Sequence, residues 1–241
     1  MPPIIRHFSV AALTLFAPLA QAAVLSGSVT TTGLGTGVDL SATSDVNWAL
    51  WDRAATTSVT SLTPTNTMAV GPTVGTPGYI SSISNIDGAK SVRGASDGLF
   101  TFTYSDGNSP ISESGITTGS VIAASVDTVG EGIKLSIVGN VAQEYRVDVW
   151  ATGFRATGQM TATLAGATTS VLQSQSYPVK DPTLFTYYFR PDNPGDVLNL
   201  SYVMLAKTTG GSASVGIQAI TITAVPEASS SLLLLGGITT L

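Results

Sequence analysis

The chain of 241 residues contains no cysteine and a single histidine. Without thiols there is no disulfide, no thiolate nucleophile and no Cys-ligated zinc. The one imidazole, His7, lies in a segment that reads as removable, so the mature chain has none left for a Ser-His pair or a His-ligated metal. Charge is scarce too, at 10% of residues against about a quarter in ordinary soluble proteins. The ten Lys and Arg residues are scattered singly and the formal net charge is −5, so no run of phosphates is neutralised and nucleic acid is a poor partner. Amphipathic helix is missing as well: no stretch from Ala23 to Ala224 carries the three-to-four residue apolar spacing of a long helix. Long hydrophobic runs are absent, those at the two ends being half of the roughly twenty residues a spanning helix needs.

What replaces charge is hydroxyl. Ser and Thr supply about a quarter of the chain, the composition of a secreted β-protein whose solvated face is largely Ser and Thr. Export is legible at the start. Arg6 precedes an apolar run from Phe8 to Ala17, Pro18 breaks it, and Ala20-Gln21-Ala22 gives the small-x-small pattern of a cleavage site, so residues 1–22 are expected to be a signal peptide removed after Ala22.

Residues 23–224 read as one all-β domain. Phe100, Phe102 and Tyr104 alternate with Thr101, Thr103 and Ser105, then run into the turn residues Asp106-Gly107-Asn108. The same alternation recurs at Ile133/Leu135/Ile137, Tyr145/Val147/Val149, Met160/Ala162/Leu164, Phe185/Tyr187/Phe189 and Leu198/Leu200/Tyr202/Met204. Many short strands between Gly, Pro, Asn and Asp turns predict an antiparallel β-sandwich of jelly-roll type. Few charges guard its edges, which favours self-association through edge pairing.

The far end reads Val225-Pro226-Glu227-Ala228, three serines, then Leu232 to Leu235 and two glycines. It resembles the PEP-CTERM signal of Gram-negative bacteria: a Pro-Glu-Pro motif, a short apolar helix and a basic cluster. The resemblance covers residues 225–241 and implies recognition by an exosortase-type processing enzyme, with delivery to the outer surface or an exopolysaccharide matrix. Ala228 stands where that family usually has its second proline, and no arginines follow the apolar run before Leu241, which reads as a truncated or degenerate tail. The segments Trp48-Ala49-Leu50-Trp51-Asp52, Phe102 to Gly107, Tyr145 to Trp150 and Ser214 to Ile220 further look like a group of secreted proteins carrying the same signal. That group is similar to galactose-binding-like jelly rolls, a fold used for carbohydrate binding, although fold does not fix function.

Candidate contacts are few. Trp48 and Trp51 differ by three positions, so in a strand they face opposite ways: Trp48 is expected in the core and Trp51 outside beside Asp52 and Arg53. If Tyr145, Val147 and Val149 face inward, Glu144, Arg146, Asp148 and Trp150 line the other face, as a sugar platform or as a solvated ladder with Arg146 between two carboxylates. Glu144 and Asp148 lie roughly 13 Å apart along such a strand, too far for the roughly 5 to 9.5 Å of a glycosidase pair. No other pair is singled out, and the chain is expected not to be an enzyme. Asp192, Asn193 and Asp196 are the best candidate calcium ligands, although Asp, Asn, Gly and Pro are also what ordinary turns require. Gly33, Gly35 and Gly37 open no helix and are followed by no phosphate-gripping lysine, so no nucleotide cofactor is expected.

Overall fold

A computed structural model describes residues 22–51, 57–96, 98–117, 119–174, 180–208 and 211–226. Nearly every element is a strand. In chain order they begin with β1 (Val24–Thr30), β2 (Gly37–Asp39), β3 (Asn47–Leu50), β4 (Ser61–Leu62), β5 (Asn66–Thr67) and β6 (Ile83–Asn85). There follow β7 (Val92–Ala95), β8 (Thr101–Tyr104), β9 (Glu113–Thr117), β10 (Ser120–Ala123), β11 (Gly132–Val138) and β12 (Glu144–Phe154). The last are β13 (Ala156–Thr163), β14 (Ser170–Gln173), β15 (Lys180–Arg190), β16 (Val197–Lys207) and β17 (Ser214–Val225). The one helix among the described residues, α1 (Leu40–Thr43), is a single turn capped by Asp39, whose carboxylate accepts from the Ala42 N–H at 3.1 Å.

The final eight strands wind as a jelly roll. One sheet places β15, β12, β17 and β10 side by side, and the other places β14, β13, β16 and β11. The chain therefore crosses between sheets at every connection except the β13–β14 hairpin, the double Greek key that defines this fold. Earlier strands widen both sheets: β1 pairs with β15 and β7 with β10, β3 takes the remaining half of the β17 edge, and β6 and β4 extend the second sheet beyond β11.

The core follows from the period of two. Tyr145, Val147 and Val149 of β12 and Phe185, Tyr187 and Phe189 of β15 point inward, with Ile217, Ile220 and Ile222 of β17. They meet Ile133, Leu135 and Ile137 of β11, Met160 and Ala162 of β13, and Leu198, Leu200, Tyr202 and Met204 of β16. All of these alternating runs occupy the faces that the pattern predicted. Gly158 makes room for the Tyr202 ring, since a Cβ there would lie 2.3 Å from it.

A second core lies on the outer face of the first sheet, and the alternation pattern does not predict it. A third small sheet of β2, β8 and β9, in which β2 runs parallel to β8, covers Trp48, Leu50, Trp150 and Ala219 with Leu40, Phe100, Phe102 and Tyr104. A β-bulge explains the docking. The β12–β17 register slips between Trp150 and Ala151, which leaves Gln218 without an opposite residue and turns its side chain outward. Its Oε1 then accepts from the N–H groups of Leu99 (2.9 Å) and Phe100 (3.2 Å), fixing the entry to β8. The Trp48 indole donates to the Asp106 carboxylate at 2.9 Å, and Trp150 packs edge-on against Phe102 with centroids 6.4 Å apart.

Candidate functional site

The second core divides the outer face of the first sheet. Over β3 and the bulged half of β12 that face is covered; toward β1 no described element covers it. By register, Arg146 of β12 lies opposite Tyr188 of β15, which lies opposite Ser26 of β1. One row along, Asp148, Thr186 and Ser28 repeat the arrangement. Directly opposed side chains sit about 5 Å apart, so these six residues form a contiguous strip three strands wide.

The strip has a rigid side and a receptive side. Arg146 binds Asp148 through two bonds, Nη2 to Oδ2 at 2.9 Å and Nε to Oδ1 at 3.3 Å, and the Thr186 hydroxyl donates to the same carboxylate at 2.6 Å. Asp148 is 8% exposed and Arg146 44%, so the carboxylate is held beneath the guanidinium. Tyr188 is half-buried, Ser26 and Ser28 are exposed, and none of their hydroxyls bonds to another described residue. An aromatic face beside free hydroxyls and a fixed guanidinium–carboxylate pair can stack on a sugar ring and bond its rim.

Several expectations change on this geometry. Trp51 does not face outward: it is 1% exposed in the inter-sheet core, with its indole donating to the Leu62 carbonyl at 3.2 Å. Trp48 occupies the second core instead, so the two tryptophans do take opposite faces, but both are buried. Trp150 points to the face opposite Val149 as expected, yet it is 5% exposed beneath β8 and offers no ring to solvent. Arg146 and Asp148 do share the strip, but among the described residues Arg146 pairs with Asp148 alone and not with Glu144. Tyr188 is the residue that sequence reasoning passed over. Its signal was present, because placing Phe185, Tyr187 and Phe189 inward puts Thr186 and Tyr188 outward; which strands flank them was not legible.

At the candidate calcium turn, the Asn193 amide nitrogen donates to Asp192 at 2.8 Å and to Asp196 at 3.3 Å, so it sits between the two carboxylates as an ordinary turn clip. Of the terminal motifs, Ala22 is exposed ahead of β1, Val225 closes β17 opposite Glu144, and Pro226 follows. Ala20, Glu227 and Ala228 lie outside the described residues.

A separate cleft of about 180 Å³ between the first sheet and β9 is lined by Asn66, Tyr104, Glu113 and Ile116. The Tyr104 hydroxyl accepts from Asn66 Nδ2 at 2.7 Å and donates to Glu113 at 3.1 Å. Burial raises the Tyr104 pKa; Asn66 opposes the rise and the neighbouring Glu113 carboxylate adds to it. Asn66 also donates to the Pro110 carbonyl and accepts from the N–H groups of Thr67 and Asn108, so its capacity is spent holding the loop before β9.

No family model matches the chain, and no curated protein matches it. Among solved structures, it is similar to the carbohydrate-binding module TmCBM61 in complex with β-1,4-galactotriose, at 12% identity and a TM-score of 0.36, over 61% of this chain and 88% of that one. The strand order described above, rather than this distant likeness, assigns the jelly-roll winding.

Proposed function

We propose that the chain is an exported, non-catalytic protein of the bacterial surface or matrix that holds exopolysaccharide against the strip of Arg146, Asp148, Tyr188, Ser26 and Ser28. The observation that carries the reading is the half-buried Tyr188 ring beside a fixed ion pair, with free hydroxyls on the adjoining strand. This is the chemistry of a carbohydrate-binding module used structurally, as an adhesive contact. The signal peptide and the PEP-CTERM-like tail support delivery through an exosortase-type enzyme to the outside of a Gram-negative cell. The lack of any imidazole or thiol from residue 23 onward supports the non-catalytic part.

The test is retention of the secreted protein on insoluble neutral polysaccharides. Tyr188→Ala should weaken retention roughly five- to tenfold, as expected for losing one stacked ring, while leaving the urea midpoint unchanged. Full retention by that variant would remove the strip from the account. Absence of retention on every glycan would leave a purely structural protein. Accumulation of the unprocessed chain in the cytosol would contradict the export reading.

A further inference from the structure

Among the described residues, the outer face of the second sheet has no cover comparable to the second core. There β6, β11, β16 and β13 present a concave cleft of about 260 Å³, lined by Ser84, Lys134, Ser136, Thr163, Asn199 and Ser201. The register sets them in two rows across the strands. In one row Ser84 lies opposite Lys134, Lys134 opposite Ser201, and Ser201 opposite Thr161. In the other, Ser136 lies opposite Asn199, and Asn199 opposite Thr163. Neighbouring strands are about 4.8 Å apart, so the first row offers a polar group at each step over roughly 14 Å.

Two properties separate this face from an ordinary solvated one. The hydroxyls of Ser84, Ser136, Thr163 and Ser201 bond to no other described residue, whereas Ser81 at the rim is spent on the Ser136 N–H and the Ser82 carbonyl. Free hydrogen-bonding capacity therefore converges on one concave surface. Charge is the second property: among the described residues, Lys134 is the only charged one lining the cleft, in a chain of net charge −5. Its ammonium gives one bond to the Ile86 carbonyl at 3.1 Å and keeps two donors for a ligand.

We infer that this face is a second glycan site, selective for polysaccharide carrying carboxylates, with Lys134 on a uronate group and the serine and threonine rows on the sugar hydroxyls. The absence of an aromatic among the described lining residues fits an acidic chain held by hydrogen bonds and charge rather than by stacking. The site is independent of the Tyr188 strip, which lies on the opposite outer face of the sandwich. One molecule can thus engage two chains and tie a matrix together.

The experiment compares retention of the full-length secreted protein on immobilised polygalacturonate and on the same polymer fully methyl-esterified, which keeps the chain and removes its charge. Retention on the acid form, its loss on the ester, and weakening at high salt, where the Debye length falls to about 3 Å, are the expected results. Lys134→Gln should weaken retention on the acid form roughly two- to fivefold, Lys134→Arg should preserve it, and Ser136→Ala with Ser201→Ala should weaken it further. Tyr188→Ala should leave it unchanged, which separates this site from the first. Equal retention on acid and ester, indifference to Lys134→Gln, or loss with Tyr188→Ala would each overturn the inference.

Discussion

Replacing Trp150 with alanine distinguishes a buried tryptophan from an exposed one. Trp150 is 5% exposed, packed edge-on against Phe102 and opposite Ala219, in one buried cluster with Leu50. An indole of this kind removes about 200 Å² from water, which at about 25 cal/mol per Å² is about 5 kcal/mol. The β-carbon that remains and partial collapse of the site reduce this to about 3–5 kcal/mol. That is a large share of the stability of one domain, so urea unfolding followed by tryptophan fluorescence should show a sharply lowered midpoint. Glycan retention should fall only as far as the folded fraction falls. A Trp150→Ala protein with an unchanged midpoint but no retention would place the ring in a binding face and refute the second core.

Three further outcomes follow from the packing. The Tyr187 hydroxyl is buried with no partner among the described residues and burial raises its pKa, so Tyr187→Phe should stabilise the protein by about 1 kcal/mol in urea titration; a loss of stability would reveal a hidden partner. Burial likewise raises the pKa of Tyr104 and Tyr145. A raised folded pKa means that the contribution is fully present below the unfolded value of about 10 and is lost as pH rises through the folded one, so the urea midpoint should hold at neutral pH and fall above about pH 10, less steeply in Tyr187→Phe. Gln218→Ala strips acceptors from two backbone N–H groups beside the bulge and should cost about 2 kcal/mol or more, read as a lower midpoint with a weakened near-UV signal from Trp48 and Trp150.

The main sandwich was legible because its strands are buried on one face and alternate accordingly. Five runs, from Ile133 to Met204, pointed their apolar residues into the inter-sheet core where the pattern put them. The second core was hidden for the same reason. Trp150 alternates correctly with Val149 and Val147, and a period of two shows only that a residue leaves the first core, not that another layer covers it. That layer comes from β2, β8 and β9, drawn in by a bulge at Gln218 whose offset no local pattern reveals. The Arg146–Asp148 half of the strip was readable along a single strand. Its Tyr188 and Ser26 half depends on which strands are neighbours, and the sandwich winding decides that only after the chain has closed.

The most direct test of the polysaccharide reading is an amide NMR titration of the secreted protein with a panel of neutral and acidic oligosaccharides. Shifts are expected at residues 26–28, 146–148 and 186–188 with neutral sugars, joined by residues 134–136 and 199–201 with acidic ones, with the amides around Trp150 and Phe102 unmoved. Shifts centred on those buried residues, or none with any sugar, would contradict it.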